Sequence, residues 1–401
     1  MKPLPIKNIF LAALLFSVAC FFTACTKRDI RPVNSAIDTN KTVIGSIAKI
    51  DSLPSFNNPS GVALDAAGNI YVADFGNNLI REITPAGKVS TYAGNGSQGK
   101  IDGTGKLAAF NAPSGIAADA SGNLFVADAG SDVIRKIAAG GIVTTIAGAD
   151  SASFANGAGL SAAFFHPVGV AVDAADNVYI ADAGNNLIRL LTAGGTVSTF
   201  AGIINTGAST QISPFNNPTG VAVDASGNVY VANYLDNNIA LVNKAGAVST
   251  YAGPDTLFAP GAVNGPVMSA AFYYPNSVAL DAANNLYVAD GVNNLIRKIT
   301  PAGTVSTFAG SGVAGAVDST GVNASFNGPA GLAVDDTGDV YVADSNNNLI
   351  RKITPAGVVT TIAGNGLPGS KNGLAIAYRN RRKINNKPHN IFNLLYRQKR
   401  N

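Results

Sequence analysis

The feature that most constrains this chain is self-similarity. A segment of about 54 residues recurs six times, so most of the 401 residues must fold as one array of like units rather than as two or three separate domains. The first copy reads FNNPSGVALDAAGNIYVADFGNNLIREITPAGKVSTYAG from Phe56, and the others begin at Phe110, Phe164, Phe215, Phe272 and Phe326. Their prolines, Pro59, Pro113, Pro167, Pro218, Pro275 and Pro329, are 54, 54, 51, 57 and 54 residues apart. All the variation in length falls in Gly/Ser/Asn-rich stretches between copies, which read as loops.

Within a copy, Gly61–Asp65 and Asn69–Asp74 are short runs rich in β-branched and aromatic residues and bounded by turn residues, so they read as strands. Asp65-Ala66-Ala67-Gly68-Asn69 joins them as a hairpin, with an aspartate to cap the turn and a glycine that tolerates positive φ. Leu79–Thr84 is a third strand; Thr84-Pro85-Ala86-Gly87 is a type I turn, and Val89–Ala93 a fourth strand. A four-stranded meander has two faces to cover and an edge to protect, and radial stacking around an axis solves both. The expectation is an all-β, six-bladed propeller over about residues 41–364. The alternative is seven blades or an open ring, because Thr42–Ile50 resembles one more fourth strand. Alanine at the centre of each first strand (Ala63, Ala117, Ala171, Ala222, Ala279, Ala333) suits an innermost strand, where blades crowd.

The pattern Pro-x-Gly-Val-Ala-Val-Asp, Tyr-Val-Ala-Asp, Asn-x-Leu-Ile-Arg-Lys-Ile resembles the NHL-repeat family, and the resemblance runs from Phe56 to Gly364. The family's eponymous Asn-His-Leu reads here Asn77-Asn78-Leu79, Asn185-Asn186-Leu187, Asn293-Asn294-Leu295 and Asn347-Asn348-Leu349, so the histidine is replaced. Peptide-amidating lyases and gluconolactonase-like enzymes share this fold, and the resemblance makes a propeller hydrolase or lyase the alternative function. The lyases would need several histidines for zinc, whereas His166 is the one histidine before the basic tail. The lactonases hold a cation with Glu, Asn and Asp, but the sole glutamate, Glu82, falls in a third strand away from the central mouth. No catalytic residue, metal site or cofactor is expected.

Five copies pair an aspartate with an arginine seven positions later: Asp74 and Arg81, Asp128 and Arg135, Asp182 and Arg189, Asp290 and Arg297, Asp344 and Arg351. The fourth copy changes both, to Asn233 and Ala240, as an intrablade ion pair predicts. A ring of carboxylates for a cation is the alternative, with an arginine beside each site competing for it.

The first 24 residues read as a signal peptide, with Lys2 and Lys7 ahead of an apolar run, and Phe22-Thr23-Ala24-Cys25 resembles a lipoprotein processing box that would lipidate Cys25. Residues 25–40 then form a linker. Cys20 and Cys25 are the only cysteines, so the repeats hold no disulfide. At the other end, 365–401 is a basic tail in which the repeat register breaks off. A frameshift or truncated gene is one source for it, and a native tail touching acidic lipid or glycan the other. Ten of the 28 Lys and Arg lie in residues 1–24 and 378–401, which carry no acid, leaving a net charge of −6 between. Nucleic acid is therefore not an expected partner of the repeats.

Expected function is a binding scaffold of the bacterial cell envelope, lipid-anchored in the outer membrane or on the periplasmic side, with a secreted form as the alternative. Its partner would be a protein, peptide or glycan. The loops that vary between copies are the place for recognition, which selects Tyr234, Tyr273, Tyr274 and His166 as candidate ligand contacts.

Overall fold

The computed structural model describes residues 53–149, 151–204, 213–254 and 260–375. Each repeat is a four-stranded antiparallel sheet. In the first, β1 (Pro59–Leu64), β2 (Ile70–Asp74), β3 (Leu79–Ile83) and β4 (Lys88–Ala93) lie side by side in that order. The β1–β2 turn closes through Asp65 N to Asn69 O (3.1 Å) and Gly68 N to Asp65 O (3.0 Å), with Gly68 at φ 78°. The β3–β4 turn closes through Gly87 N to Thr84 O (2.7 Å).

Six such sheets form a six-bladed propeller, with the β1-type strands innermost and no α-helix among the described residues. The core is six clusters, each made where the face of one blade meets the next, and one of them joins Val62, Ile70 and Val72 of blade 1 to Ala343, Ile350 and Ala363 of blade 6. The ring is therefore closed. A fully buried phenylalanine (Phe56, Phe110, Phe164, Phe215, Phe272, Phe326) plugs each junction.

Two details differ from the sequence reading. The linkers are more than loops: Gly103–Thr104, Gly157–Ala158 and Gly265–Pro266 each add a short fifth strand to the outer edge of the blade that follows. Residues 365–375, read as the start of the tail, do the same for blade 1, where Gly373–Leu374 pairs with Val89 and Lys88. Every blade has its own fourth strand, so none of the described sheets needs one from Thr42–Ile50, which lies outside the described residues together with Cys25. The alanines do sit on the innermost strands within the junction clusters, and the glycines two residues before them approach the next blade's backbone. A Cβ built on Gly61 would lie 2.4 Å from Ser114 O, on Gly169 2.1 Å from Thr219 O and on Gly331 2.2 Å from Ser60 O.

Candidate functional site

The β2–β3 loops and the segments entering the inner strands emerge on one face. Both are held by the Asp/Arg pairs. Arg81 and Asp74 are fully buried and 2.8 Å apart, and the other four pairs lie at 2.7–2.9 Å, equally buried. Asp74 Oδ1 accepts Asn57 N (2.8 Å) and Oδ2 accepts Asn77 Nδ2 (2.8 Å), so one carboxylate ties the entering segment to the β2–β3 loop. Arg81 also donates to Ser55 O, Lys371 O and Asn372 Oδ1, and stacks over Phe56 at 5.3 Å. Burial pushes the Asp128 carboxyl up to about 6, against the Asn111 amide and the Arg135 guanidinium that favour its ionised form.

Blade 4 keeps this scaffold with its polarity reversed. Asn233 Oδ1 accepts Asn216 N (2.8 Å), but Asn233 Nδ2 now donates to Asp236 Oδ2 (2.9 Å), and Asp236 stands where the other blades have Asn77 and its counterparts. With the arginine replaced by Ala240, the carboxylate has moved from a fully buried place to a half-buried one.

Around the axis, the residue before each proline adopts left-handed φ, from 49° at Asn58 to 59° at Gly328. Its backbone N–H crosses to the preceding blade: Ala112 N donates to Asn78 Oδ1 (2.9 Å), His166 N to Asp132 Oδ1 (2.6 Å), Tyr274 N to Asn237 Oδ1 (2.8 Å), and Asn58 N to Asn348 Oδ1 (2.9 Å) across the closure. Two residues further along, Ser60, Ser114, Thr219 and Asn276 border a central channel of about 200 Å³.

Asparagine, glycine and histidine are the residues that tolerate that backbone; a bulky tyrosine does not, at a cost on the order of 1–2 kcal/mol. Tyr274, at φ 51°, nonetheless occupies it in blade 5, stacked on Tyr234 of the blade 4 loop (centroids 4.6 Å apart, planes at 18°), and Tyr273 leans against it at 4.7 Å. All three rings are half-buried, and burial raises the Tyr234 hydroxyl above its usual pKa. His166, at φ 52°, is exposed on the blade 3 segment; its backbone holds Asp132 and no ring contact joins it to the tyrosines. Three of the four candidate contacts thus form one aromatic platform. Sequence reasoning missed the neighbouring Phe165, 46% exposed, whose place beside His166 in a loop of variable sequence was the available signal.

The fold and its repeated loops define a β-propeller of the class built from short tandem repeats. The NHL repeat model matches residues 56–83, 164–189, 215–238, 272–299 and 326–353, and the chain belongs to the NHL-repeat family. It is 31% identical over 333 residues to NHL repeat-containing protein 2 of Bos taurus, covering 73% of this chain and 46% of that protein, so it spans about half the length of that relative. Among solved structures, an auxiliary nutrient binding protein from Bacteroides thetaiotaomicron superposes with a TM-score of 0.55 at 16% identity, covering 77% of this chain and 70% of the other. A streptogramin B lyase superposes at 0.50 and 14% identity, covering 77% and 84%. At those identities both likenesses concern the fold alone.

Proposed function

We propose that this chain is a binding module of the bacterial cell envelope, exported by its first 24 residues and tethered through a lipid on Cys25, that captures a neutral glycan on its loop-rich face. The observation that carries this reading is Tyr274, an aromatic residue kept in a strained backbone and stacked with Tyr234 beside Tyr273. Backbone strain persists where surrounding structure enforces it, and a ring displayed at that cost is a recognition group. The chemistry of the face fits an uncharged, hydroxyl-rich ligand. Among the segments from Phe56 to Pro59 and Phe75 to Asn78 and their counterparts there is no Lys or Arg, and the two acids, Asp132 and Asp236, are engaged with His166 N and with Asn216 and Asn233. What remains is rings, which take the apolar faces of sugars, and asparagine amides, which take hydroxyls. Rings and amides favour capture over turnover, and the likeness in fold to a protein named as an auxiliary nutrient binding protein supports that reading.

The test is affinity electrophoresis of the lipid-free chain through gels containing a β-glucan, a mannan or a xylan, with anionic pectin as control. At least one neutral polysaccharide should retard the wild type, and Tyr274→Ala should abolish the retardation. Indifference to all the neutral polymers, with capture of an envelope peptide that depends on Tyr234 and Tyr273, would replace the glycan by a peptide; retardation unchanged in Tyr274→Ala would reject the face.

A further inference from the structure

Four of the six blades fill the outer part of their junction with an edge-to-face aromatic pair: Tyr71 with Tyr92, Tyr179 with Phe200, Tyr230 with Tyr251 and Tyr287 with Phe308, at 4.9–5.2 Å. Blade 2 has half of that pair. Phe125 is present, but Ile146 stands in place of the second ring. On the opposing wall, blade 3 turns through Thr192-Ala193-Gly194-Gly195 where blades 1, 5 and 6 have Thr-Pro-Ala-Gly, so a proline ring is missing as well. In blade 1 that ring packs over the hairpin glycine, 3.6 Å from a Cβ built on Gly68. Blade 6 also carries an aliphatic residue, Ile362, but the blade that follows it in the ring, blade 1, keeps its turn proline, Pro85. The junction between blades 2 and 3 is thus the one truncated from both sides, and it opens into a cleft of about 500 Å³, within the usual range for small-molecule sites.

Phe125, Val178 and Leu191 give the cleft a buried apolar floor at 4%, 1% and 3% exposed, Leu160 projects at the rim at 63%, and Thr145 and Thr192 add polar wall. One cation lines it. Lys136 lies 5.3 Å from the centre of the Phe125 ring and, among the described residues, has no carboxylate within ion-pair distance. The equivalent Lys352 in blade 6 pairs with Asp339, but the residue in that position in blade 2 is Asn123. Asp176 stands at the exposed edge of the same cleft, where it disfavours a second negative charge on anything bound.

We propose that this cleft is a second ligand site, separate from the tyrosine face, for a small amphipathic monocarboxylate. The apolar body of the ligand occupies the space of the missing rings between Phe125, Ile146, Val178 and Leu191, and its carboxylate meets Lys136 Nζ.

The repeats supply the controls. Lys136→Leu copies blades 3 and 4 (Leu190, Leu241), Ile146→Phe copies blades 3 and 5 (Phe200, Phe308), and Ala193→Pro copies blades 1, 5 and 6. Titration of the chain with 4-phenylbutyrate, followed by calorimetry or ligand-observed NMR, should saturate in the millimolar range or tighter. Lys136→Leu should weaken binding about fivefold, as loss of one partly exposed ion pair implies. Ile146→Phe should abolish it, Ala193→Pro serving instead if that variant does not fold, while Ile362→Phe and Tyr274→Ala should bind as the wild type does. The last comparison separates this site from the glycan face. Absence of saturable binding, equal binding of 4-phenylbutanol and the acid, or indifference to both Ile146→Phe and Ala193→Pro would overturn the proposal.

Discussion

Blade 4 shows what the buried arginines do elsewhere, because it is the copy that manages without one. In blade 5, Arg297 has four acceptors: Asp290 Oδ2 and Asn264 Oδ1 at 2.8 and 2.7 Å, and the carbonyls of Ala271 and Val263 at 3.0 and 2.8 Å. Three of these, Val263 O, Asn264 Oδ1 and Ala271 O, belong to the linker that precedes the blade, so the guanidinium fastens the linker to the sheet. Removing it leaves Asp290 charged, buried and short of a partner, which ordinarily costs about 3–5 kcal/mol. Arg297→Ala should therefore lower the unfolding free energy by that order in urea denaturation. The combination Asp290→Asn, Asn293→Asp and Arg297→Ala, which transplants blade 4, should cost less than the single change. An unchanged urea midpoint for Arg297→Ala would show that the pair is not structural. The joint change at Asn233 and Ala240 was legible as a pattern. The third member, Asp236, was not, because only the fold places residue 236 within reach of residue 233.

At the scale of the strand, the inner wall depends on backbone touching backbone. The five glycines Gly61, Gly115, Gly169, Gly220 and Gly331 face the next blade so closely that an added Cβ would fall 2.1–2.5 Å from backbone atoms. Blade 5 alone carries a side chain there, Ser277, whose hydroxyl accepts Leu332 N (3.3 Å) from the next strand. Gly169→Ala should destabilise by about 1–3 kcal/mol through overpacking, seen as a lower melting temperature, whereas Ser277→Gly should move it little. A Gly169→Ala variant melting with the wild type would mean that the blades can slide apart at the axis. The small-residue signal in the sequence was read at the alanines two residues on, which do lie in the junction clusters, and it extends to these glycines. Alternation gives which residues share a face, but the distance between two inner strands is a property of the closed ring.

The whole molecule is stitched from both ends of its described span. For blade 1, the linker that the other blades receive in one piece is split: Leu53–Phe56 arrives from one side and Asn365–Ala375 from the other. Ser55 N donates to Lys371 O (3.2 Å), Gly369 N to Phe56 O (2.9 Å) and Ala375 N to Gly87 O (2.8 Å), repeating the bonds of Ala109 to Ile101, Gly99 to Phe110 and Gly105 to Gly141 in blade 2. Six repeats read plainly from the sequence; this latch did not, because the glycine-rich piece after Gly364 has no copy of Phe-Asn-x-Pro following it to mark its register. Arg81 finds two of its acceptors, Lys371 O and Asn372 Oδ1, on the latch alone. Deleting 376–401 leaves every one of these bonds in place and should leave the melting temperature within error. Deleting 365–401 removes the latch, strips the outer edge of blade 1 and exposes one side of a buried guanidinium, so melting should fall by many degrees and lose cooperativity as the ring frays at the blade 1–blade 6 junction. Differential scanning calorimetry of the two truncations decides the point: equal melting of both would show that the blade faces hold the ring without the latch, and an equal loss in both would assign the closure to residues beyond Ala375.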